Sequence, residues 1–152
     1  VILQSLLGGD SALPAAGMGA IPEQLASHLR AGVVHLDTTV GSVKPGEVVT
    51  VDGCHITADR VVVAVEGPQA SALLGLPLVE SNPASCVWFA AEAPPIPDRY
   101  IILDGTGQGP ALNIAVMTNV APEYAPEGAV LIAAACPGTN DGGIEPAVRK
   151  QL

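Results

Sequence analysis

The chain has 152 residues, of which 49% are hydrophobic and 14% charged, so it can bury a sizeable core and is not a disordered chain. Its net charge is −9, with six lysines and arginines and few aromatic residues (one Trp, two Tyr and one Phe). Nucleic-acid binding is therefore disfavoured, because it needs clustered cations and stacking rings.

A short helix is predicted after a glycine-rich turn near the start of the chain. Ile21, Leu25 and Leu29 recur at i, i+4 and i+8, which is the spacing of an apolar stripe on one side of a helix. Pro22 suits the first helical turn, where a missing N–H costs nothing, and Gly32 is a typical left-handed cap. The pattern predicts a helix that begins near Ile21 and ends at Gly32.

The rest of the first half is predicted to consist of short strands, a hairpin and one helix. The elements are a helix end in Val1–Ser11, a strand at Val33–Leu36, hairpin strands around Val40–Val43, Val49–Val51 and Cys54–Thr57, a strand at Asp59–Val65 and a helix at Gln69–Leu74. Turns at Lys44–Glu47 and Asp52-Gly53 join the hairpin strands, because Gly, Pro and Asp favour tight turns. Asp59–Val65 is a continuous β-branched run, the pattern of a strand buried on both faces.

Four strands separated by proline- and glycine-rich turns follow Leu76. They are Pro83–Ala93, Arg99–Asp104, Ala111–Asn119 and Ala129–Ala135, and a helix begins near Ile144. This regular spacing is typical of an antiparallel sheet. We therefore predict a mixed α+β fold, divided by a change in composition into residues 1–75 and residues 76–152.

Cysteine usage and the first residues bear on the cellular compartment. Cys54, Cys86 and Cys136 are far apart and form no Cys-x-x-Cys or Cys/His pair, so neither a disulfide framework nor a metal site is predicted. We expect a cytoplasmic chain. The start, VILQSLLGGD, lacks the basic region of a signal peptide and is too short to span a bilayer, so no transmembrane segment is predicted.

Two glycine-rich segments are candidate ligand loops. A dinucleotide loop needs a strand before it and a helix N-terminus after it, whereas Gly105–Gly109 is followed by Pro110 and a strand-like run. A turn between strands is the better interpretation there. Met18 lies between Gly17 and Gly19, and both a turn with a core methionine and a loop near a ligand remain open for it.

A serine nucleophile is the third candidate. Gly9-Asp10-Ser11 matches the nucleophile block of GDS-type serine esterases, which also need a distant Asp-x-x-His pair to activate the serine. The three histidines, His28, His35 and His55, stand in no such pattern and share no metal-ligand spacing. The residues therefore assign no catalytic and no metal-binding side chain, and Ser11 remains the nucleophile of a weaker alternative.

The order of several segments is more specific than any single motif. The segments are Pro14–Met18, Ile21-Pro22, Leu25-Ala26, Val40, Val43, Asp52-Gly53, Ala58–Val65 and Asn113–Gly138. This order resembles the flavin-containing amine oxidase superfamily, which includes phytoene desaturases and protoporphyrinogen oxidases. The resemblance covers about Leu13–Gly138 and implies an FAD-dependent oxidoreductase that acts on a small-molecule substrate.

The resemblance also implies roles for parts of the chain. Residues 1–75 would be a partial FAD-domain segment, and residues 76–152 a substrate-domain sheet. Val40 matches the family valine whose backbone touches the FAD adenine. Ser85 stands where amine oxidases carry a lysine near flavin N5, which disfavours the amine-oxidase branch and leaves the desaturase-like or uncharacterised branches.

The family's G-x-G-x-x-G loop, which holds the FAD pyrophosphate, has no counterpart in the sequence. Val1 is not an initiator methionine and Leu152 ends a helix-like run, so we expect a middle segment of such an enzyme. The parent enzyme would transfer hydride from a C–N or C–C bond to flavin, while this segment would retain no FAD and be inactive alone. Two alternatives remain: a non-enzymatic β-rich module that self-associates into a homo-oligomer or binds a partner, and a serine hydrolase that uses Ser11.

Overall fold

The computed structural model describes residues 12–138 and 143–152. They form two compact units: the segment that ends at His28 together with Pro83–Leu152, and Leu29–Asn82. Each unit contains one antiparallel sheet, which confirms the mixed α+β prediction. The predicted helix end at 1–11, and Ser11 with it, lies outside the described residues.

The elements follow one another with short connections. In chain order they are α1 (Ala20–Ser27), β1 (Val40–Lys44), β2 (Glu47–Thr50), β3 (His55–Thr57), α2 (Gly67–Leu74), β4 (Ala84–Ala91), β5 (Ile101–Leu103), β6 (Asn113–Val116), α3 (Met117–Val120), a 3₁₀ turn (Pro122–Tyr124), β7 (Val130–Pro137) and α4 (Glu145–Gln151). The hairpin strands, the four later strands and the last helix all occur where the sequence predicts them, except that the predicted strand Ala111–Asn119 ends at Val116, and its residues from Met117 onward belong to α3.

The unit Leu29–Asn82 is built on the three-stranded meander β1–β2–β3. The turn between β1 and β2 has Gly46 at φ +79°, and the turn between β2 and β3 has Gly53 at φ +86°, so both turns use the backbone freedom of glycine. Thr50 is buried, and its hydroxyl donates to the carboxylate of Asp52 and accepts the N–H of Cys54 at 3.0 Å. The second turn is therefore held by side chains as well as by backbone pairing.

Two predicted strands of this unit are absent from the structure. Val33–Leu36 and Asp59–Val65 form no strand, so these predictions are wrong. Val62 is 87% exposed, although its run has the composition of a strand buried on both faces. Composition does not supply a neighbour: a strand exists only when another strand accepts its backbone hydrogen bonds, and no other described segment pairs with this run.

The two helices of the first half differ in how well their ends were predicted. α2 ends where expected, with Gly75 in the left-handed conformation at φ +63°. α1 ends at Ser27, before the predicted Gly32, and none of its residues is buried. Its apolar stripe exists but is uncovered, with Leu25 68% exposed, and a short helix without packing has little to hold a further turn.

The other unit is organised by the four-stranded sheet in the order β4–β7–β6–β5. β4 and β7 pair along their whole lengths, from Ala84 opposite Pro137 to Ala91 opposite Val130. One face of this sheet carries the core, together with Val148 of α4, which is fully buried. The buried members of this cluster are Phe89, Ala111, Ile114, Val116, Ile132, Ala134, Cys136 and Val148.

Side-chain hydrogen bonds fasten the connections of this unit. Gln151 of α4 accepts the N–H of Ala111 through Oε1 at 3.0 Å and donates through Nε2 to the Ala111 carbonyl at 2.8 Å. The hydroxyl of Tyr124 donates to the Pro14 carbonyl at 3.0 Å. The first bond pair fixes α4 to the chain before β6, and the second attaches the N-terminal segment to this unit.

Candidate functional site

The hairpin position that the resemblance links to adenine lies at the start of β1. Val40 is half-buried and stands opposite Thr50, and the pairing register shifts between Val40 and Ser42. Such a bulge leaves one residue out of step with the partner strand and re-aims its neighbours. The structure thus puts Val40 beside an irregularity of the strand; its contact with a cofactor remains a prediction.

Ser85, which the sequence resemblance aligns with the family lysine, lies on the core side of the larger sheet. Ser85 stands opposite Cys136 in the β4–β7 pair, and Cys136 is buried. The Ser85 hydroxyl donates to the Gly138 carbonyl at 2.9 Å. The Ser85 side chain is therefore short, neutral and already hydrogen-bonded through its hydroxyl.

The opposite side of the same sheet, here called the open face, is apolar and largely uncovered. Its residues are Cys86, Trp88, Ile101, Leu103, Asn113, Ala115, Ala133 and Ala135, which the strand register places side by side. Trp88 is 54%, Ile101 66% and Leu103 72% exposed. None of these side chains is charged, so the open face offers contact by apolar surface rather than by ion pairing.

The glycine–methionine turn precedes a helix but does not form a phosphate cradle. Such a cradle needs free N–H groups at the helix N-terminus. Here the Ala20 N–H donates to the Gly17 carbonyl at 3.1 Å, and the Ile21 N–H donates to the Met18 carbonyl at 3.3 Å. Pro22 has no N–H to offer. Met18 itself is exposed, so its interpretation as a core methionine is wrong.

The glycine run after β5 is a turn between antiparallel strands, as its sequence indicates. The Asp104 carboxylate accepts the Thr106 hydroxyl at 2.6 Å and the N–H groups of Thr106 and Gly107 at 2.9 and 3.0 Å. These bonds hold the pKa of the Asp104 carboxyl below its ordinary value, and the bond from the Thr106 hydroxyl has the largest effect. The carboxylate therefore stabilises the turn by accepting its hydrogen bonds. Its negative charge would repel a phosphate bound at the same place.

The N-terminus of α2 does not suit a phosphate either. Its cap residue is Glu66, and Pro68 occupies its first turn. A carboxylate at the cap repels another anion, and proline removes one donor. The described residues therefore contain no glycine-rich cradle at a helix N-terminus, and they do not fit the pyrophosphate of FAD.

The histidines do not come together. His28 hydrogen-bonds through Nδ1 to the Gln24 carbonyl at 2.7 Å, and His55 pairs through Nδ1 with Glu47 Oε1 at 2.8 Å. The hydrogen bond from His55 is the main reason that the pKa of Glu47 lies below its ordinary value. His35 lies in an irregular stretch rather than in the predicted strand. Nowhere in residues 12–138 and 143–152 do three or more His, Cys, Asp or Glu residues cluster as a metal site.

A groove of about 720 Å³ lies beside the hairpin, in the unit Leu29–Asn82. Its lining includes Lys44 and Arg60, with Asp59 as the acidic member and Leu74 of α2 as an apolar member. Arg60 is exposed and takes part in no ion pair with a described residue. The groove is an open channel between the β1–β2 turn and the run that starts at Asp59.

The family model for flavin-containing amine oxidoreductases matches residues 3–151. This chain belongs to that family. The match confirms the resemblance carried by the ordered segments, and it supports flavin chemistry on a small-molecule substrate as the property of the family. No curated protein matches the chain significantly. None of the described helices is long and apolar enough to cross a membrane.

Two surfaces of this chain were not predicted from its sequence, namely the open face and the exposed valine-rich run after Asp59. The open face could have been anticipated from the alternation in β4, where Cys86 and Trp88 are exposed and Val87 and Phe89 lie inward. The exposed state of the valine-rich run after Asp59 had no such signal, because its composition is that of a buried strand. Only the structure shows that no other described segment forms a strand pair with this run.

Proposed function

We propose that this chain is a middle segment of an FAD-dependent oxidoreductase, in which the complete enzyme transfers hydride from a small-molecule substrate to flavin. The proposal rests on a mismatch between the extent of the family match and the residues that could hold FAD. The family match spans residues 3–151, yet the described residues lack the glycine cradle that an FAD pyrophosphate requires. A segment that supplies other parts of the enzyme accounts for both facts.

In this proposal the two halves have different tasks. Residues 1–75 contribute the hairpin, where the backbone of Val40 contacts the adenine, and residues 76–152 contribute the sheet of the substrate domain. The protein's part is to orient the substrate and keep water away, while the cofactor supplies the redox chemistry. The open face suits this task because it is uncharged and presents Trp88, Ile101 and Leu103. We place the enzyme in the cytoplasm, since Cys54, Cys86 and Cys136 are all free thiols.

The bond that is oxidised is proposed to be C–C rather than C–N. Ser85 occupies the position of the amine-oxidase lysine, and its hydroxyl is bonded to the Gly138 carbonyl. The open face, which lies on the other side of the sheet from Ser85, also has no carboxylate that would attract a protonated amine. A desaturase-like reaction on a neutral substrate therefore agrees better with these side chains than amine oxidation does.

A titration of the purified chain with FAD tests the segment hypothesis. We expect the fluorescence anisotropy and visible spectrum of FAD to stay unchanged up to a large excess of protein. A saturable change at a 1:1 ratio would overturn the proposal that this chain lacks a complete cofactor site. The same purified chain, denatured by heating and free of nucleotide, is the control for non-specific quenching.

The chemical proposal is tested on the longer reading frame that contains residues 1–152. We expect a G-x-G-x-x-G loop before Val1, and flavin reduction by neutral unsaturated substrates but not by primary or secondary amines. Ser85→Ala should retain this preference, because only one hydrogen bond is lost. Flavin reduction by amines alone would refute the C–C assignment and leave the family assignment intact.

A further inference from the structure

Three polar side chains of one short segment each bind the backbone of a different part of the same unit. The segment is residues 117–124, here called the hub, and it consists of α3 and the 3₁₀ turn that follows it. The hydroxyl of Thr118 accepts the N–H of Leu131 in β7 at 3.3 Å, which fastens the hub to the larger sheet. Asn119 and Tyr124 reach out to two connections between elements.

Asn119 holds residues 92–100, here called the proline-rich loop, which connect β4 to β5 and contain three prolines. Its Nδ2 donates to the carbonyls of Ile96 and Asp98 at 2.9 and 2.8 Å. A primary amide has two N–H donors, so both donors of Asn119 are used in this loop. Between its two anchored carbonyls the side chain of Ile96 packs against the core. The position of the proline-rich loop therefore depends on the position of Asn119.

Tyr124 holds residues 14–17, here called the Pro14 turn, which precede α1. The Gly17 N–H closes this turn by donating to the Pro14 carbonyl at 3.0 Å, and Gly17 adopts φ +88°. The Tyr124 hydroxyl donates to the same carbonyl at 3.0 Å. A carbonyl oxygen has two lone pairs and can accept both bonds. The Pro14 carbonyl is thus shared by the turn and the hub, and the Gly17 N–H reports on it.

The backbone of the hub carries Asn119 and Tyr124 as one hydrogen-bonded piece. The Ala121 N–H donates to the Met117 carbonyl at 2.9 Å, and the Ala121 carbonyl accepts the Tyr124 N–H at 3.1 Å. Ala121 is buried, so these bonds meet at a residue enclosed by the unit. A displacement of the hub that draws Asn119 away from its loop therefore displaces Tyr124 as well.

We propose that the hub couples the proline-rich loop to the Pro14 turn, so that releasing either connection loosens the other. The element with two arrangements is the hub, which is either fastened to both connections or displaced from both. Coupling of this kind is reciprocal, because the same free energy links the two contacts in both directions. A molecule that draws the proline-rich loop away from Asn119 would therefore loosen the turn before α1. This inference is independent of the flavin chemistry.

Amide exchange of the ¹⁵N-labelled 152-residue chain, followed by NMR, tests the coupling. The Gly17 N–H reports on the Pro14 turn, and the side-chain amide of Asn119 reports on the proline-rich loop. Tyr124→Phe removes one hydrogen bond and should accelerate exchange of the Gly17 N–H by about two- to tenfold. It should also accelerate exchange of the Asn119 side-chain amide by at least about twofold. Asn119→Ala should accelerate the Gly17 N–H by at least about twofold, although Asn119 binds the other loop.

Matched controls remove the same chemical groups elsewhere in the chain. Tyr100→Phe removes the hydroxyl of an exposed tyrosine, and Asn113→Ala removes an amide from β6. Both variants should leave the two reporters at their wild-type exchange rates. The Gly107 N–H, which donates to the Asp104 carboxylate at 3.0 Å, is the internal reference because it lies in another turn of the same unit. Its rate should stay unchanged in every variant.

Three results would overturn the proposal. Asn119→Ala could leave the Gly17 N–H at its wild-type rate, or Tyr124→Phe could leave the Asn119 amide at its wild-type rate; either result would show that the two connections are fastened independently. Equal acceleration of the Gly17 and Gly107 N–H groups would show a general loss of stability instead of coupling. If Asn119→Ala does not fold, Asn119→Ser provides the same comparison with a side chain that keeps one donor.

Discussion

The contact between Gln151 and the backbone of Ala111 makes a sharp prediction about stability. Gln151 supplies both an acceptor and a donor to Ala111, at 3.0 and 2.8 Å, and Ala111 is fully buried. Gly109 is close by: a Cβ on it would stand 2.0 Å from Gln151 Oε1 and 2.1 Å from Gln151 Cδ. Gly109 is not among the glycines with positive φ, so alanine at this position conflicts with Gln151 rather than with the backbone.

The magnitude follows from the two backbone groups. Gln151→Ala leaves the N–H and the carbonyl of buried Ala111 without these partners, and each unsatisfied group costs about 1–3 kcal/mol. Allowing for entry of water at this part-buried site, we expect a loss of about 2–4 kcal/mol in the free energy of unfolding. Gly109→Ala should cost a similar amount, because its Cβ displaces the Gln151 side chain. In the Gln151→Ala background, Gly109→Ala should cost under about 1 kcal/mol.

Urea unfolding followed by tryptophan fluorescence measures the free energy of unfolding of the wild type, the two single variants and the double variant. Trp88 is the only tryptophan of the chain and lies on β4, so its emission reports on the unit that contains Gln151. We expect strong coupling between the two substitutions. Additive losses in the double variant, or a Gly109→Ala variant as stable as the wild type, would refute it.

Two further perturbations test other parts of the same unit. Asn119 Nδ2 donates to the carbonyls of Ile96 and Asp98 at 2.9 and 2.8 Å; Asn119→Asp removes both donors and should lower the free energy of unfolding by about 2–3 kcal/mol near neutral pH, which urea titration measures. Thr106→Val should raise the pKa of Asp104 towards its ordinary value without reaching it, because two backbone N–H groups still bind the carboxylate. A depressed pKa means that the ionised form stabilises the turn, so that this stabilisation is present above the ordinary carboxyl pKa and is lost as pH falls through the folded one. Carboxyl ¹³C shifts recorded against pH follow the change, and an unchanged Asp104 titration in the variant would contradict the assigned cause.

Local sequence signals predicted the elements that are stabilised locally. The hairpin around Gly46 and Gly53 was predictable because tight turns need residues that accept positive φ. α2 was predictable because Gly75 caps it, and the antiparallel sheet because proline- and glycine-rich turns recur between apolar runs. In each case the residues that decide the structure are neighbours in the chain.

Elements that depend on distant partners were not predictable in the same way. Ala58–Val65 has the composition of a central strand, but no described strand lies beside it, and Leu25 has the spacing of a buried stripe although it is 68% exposed. Hydrophobic periodicity reports which surface a segment would bury, not whether the burying surface is present. The candidate site shares this limit: the order of family segments indicated Val40 and Ser85, and the alternation in β4 could have indicated one exposed side of that strand, but the strand register was needed to place the other residues of the open face beside it.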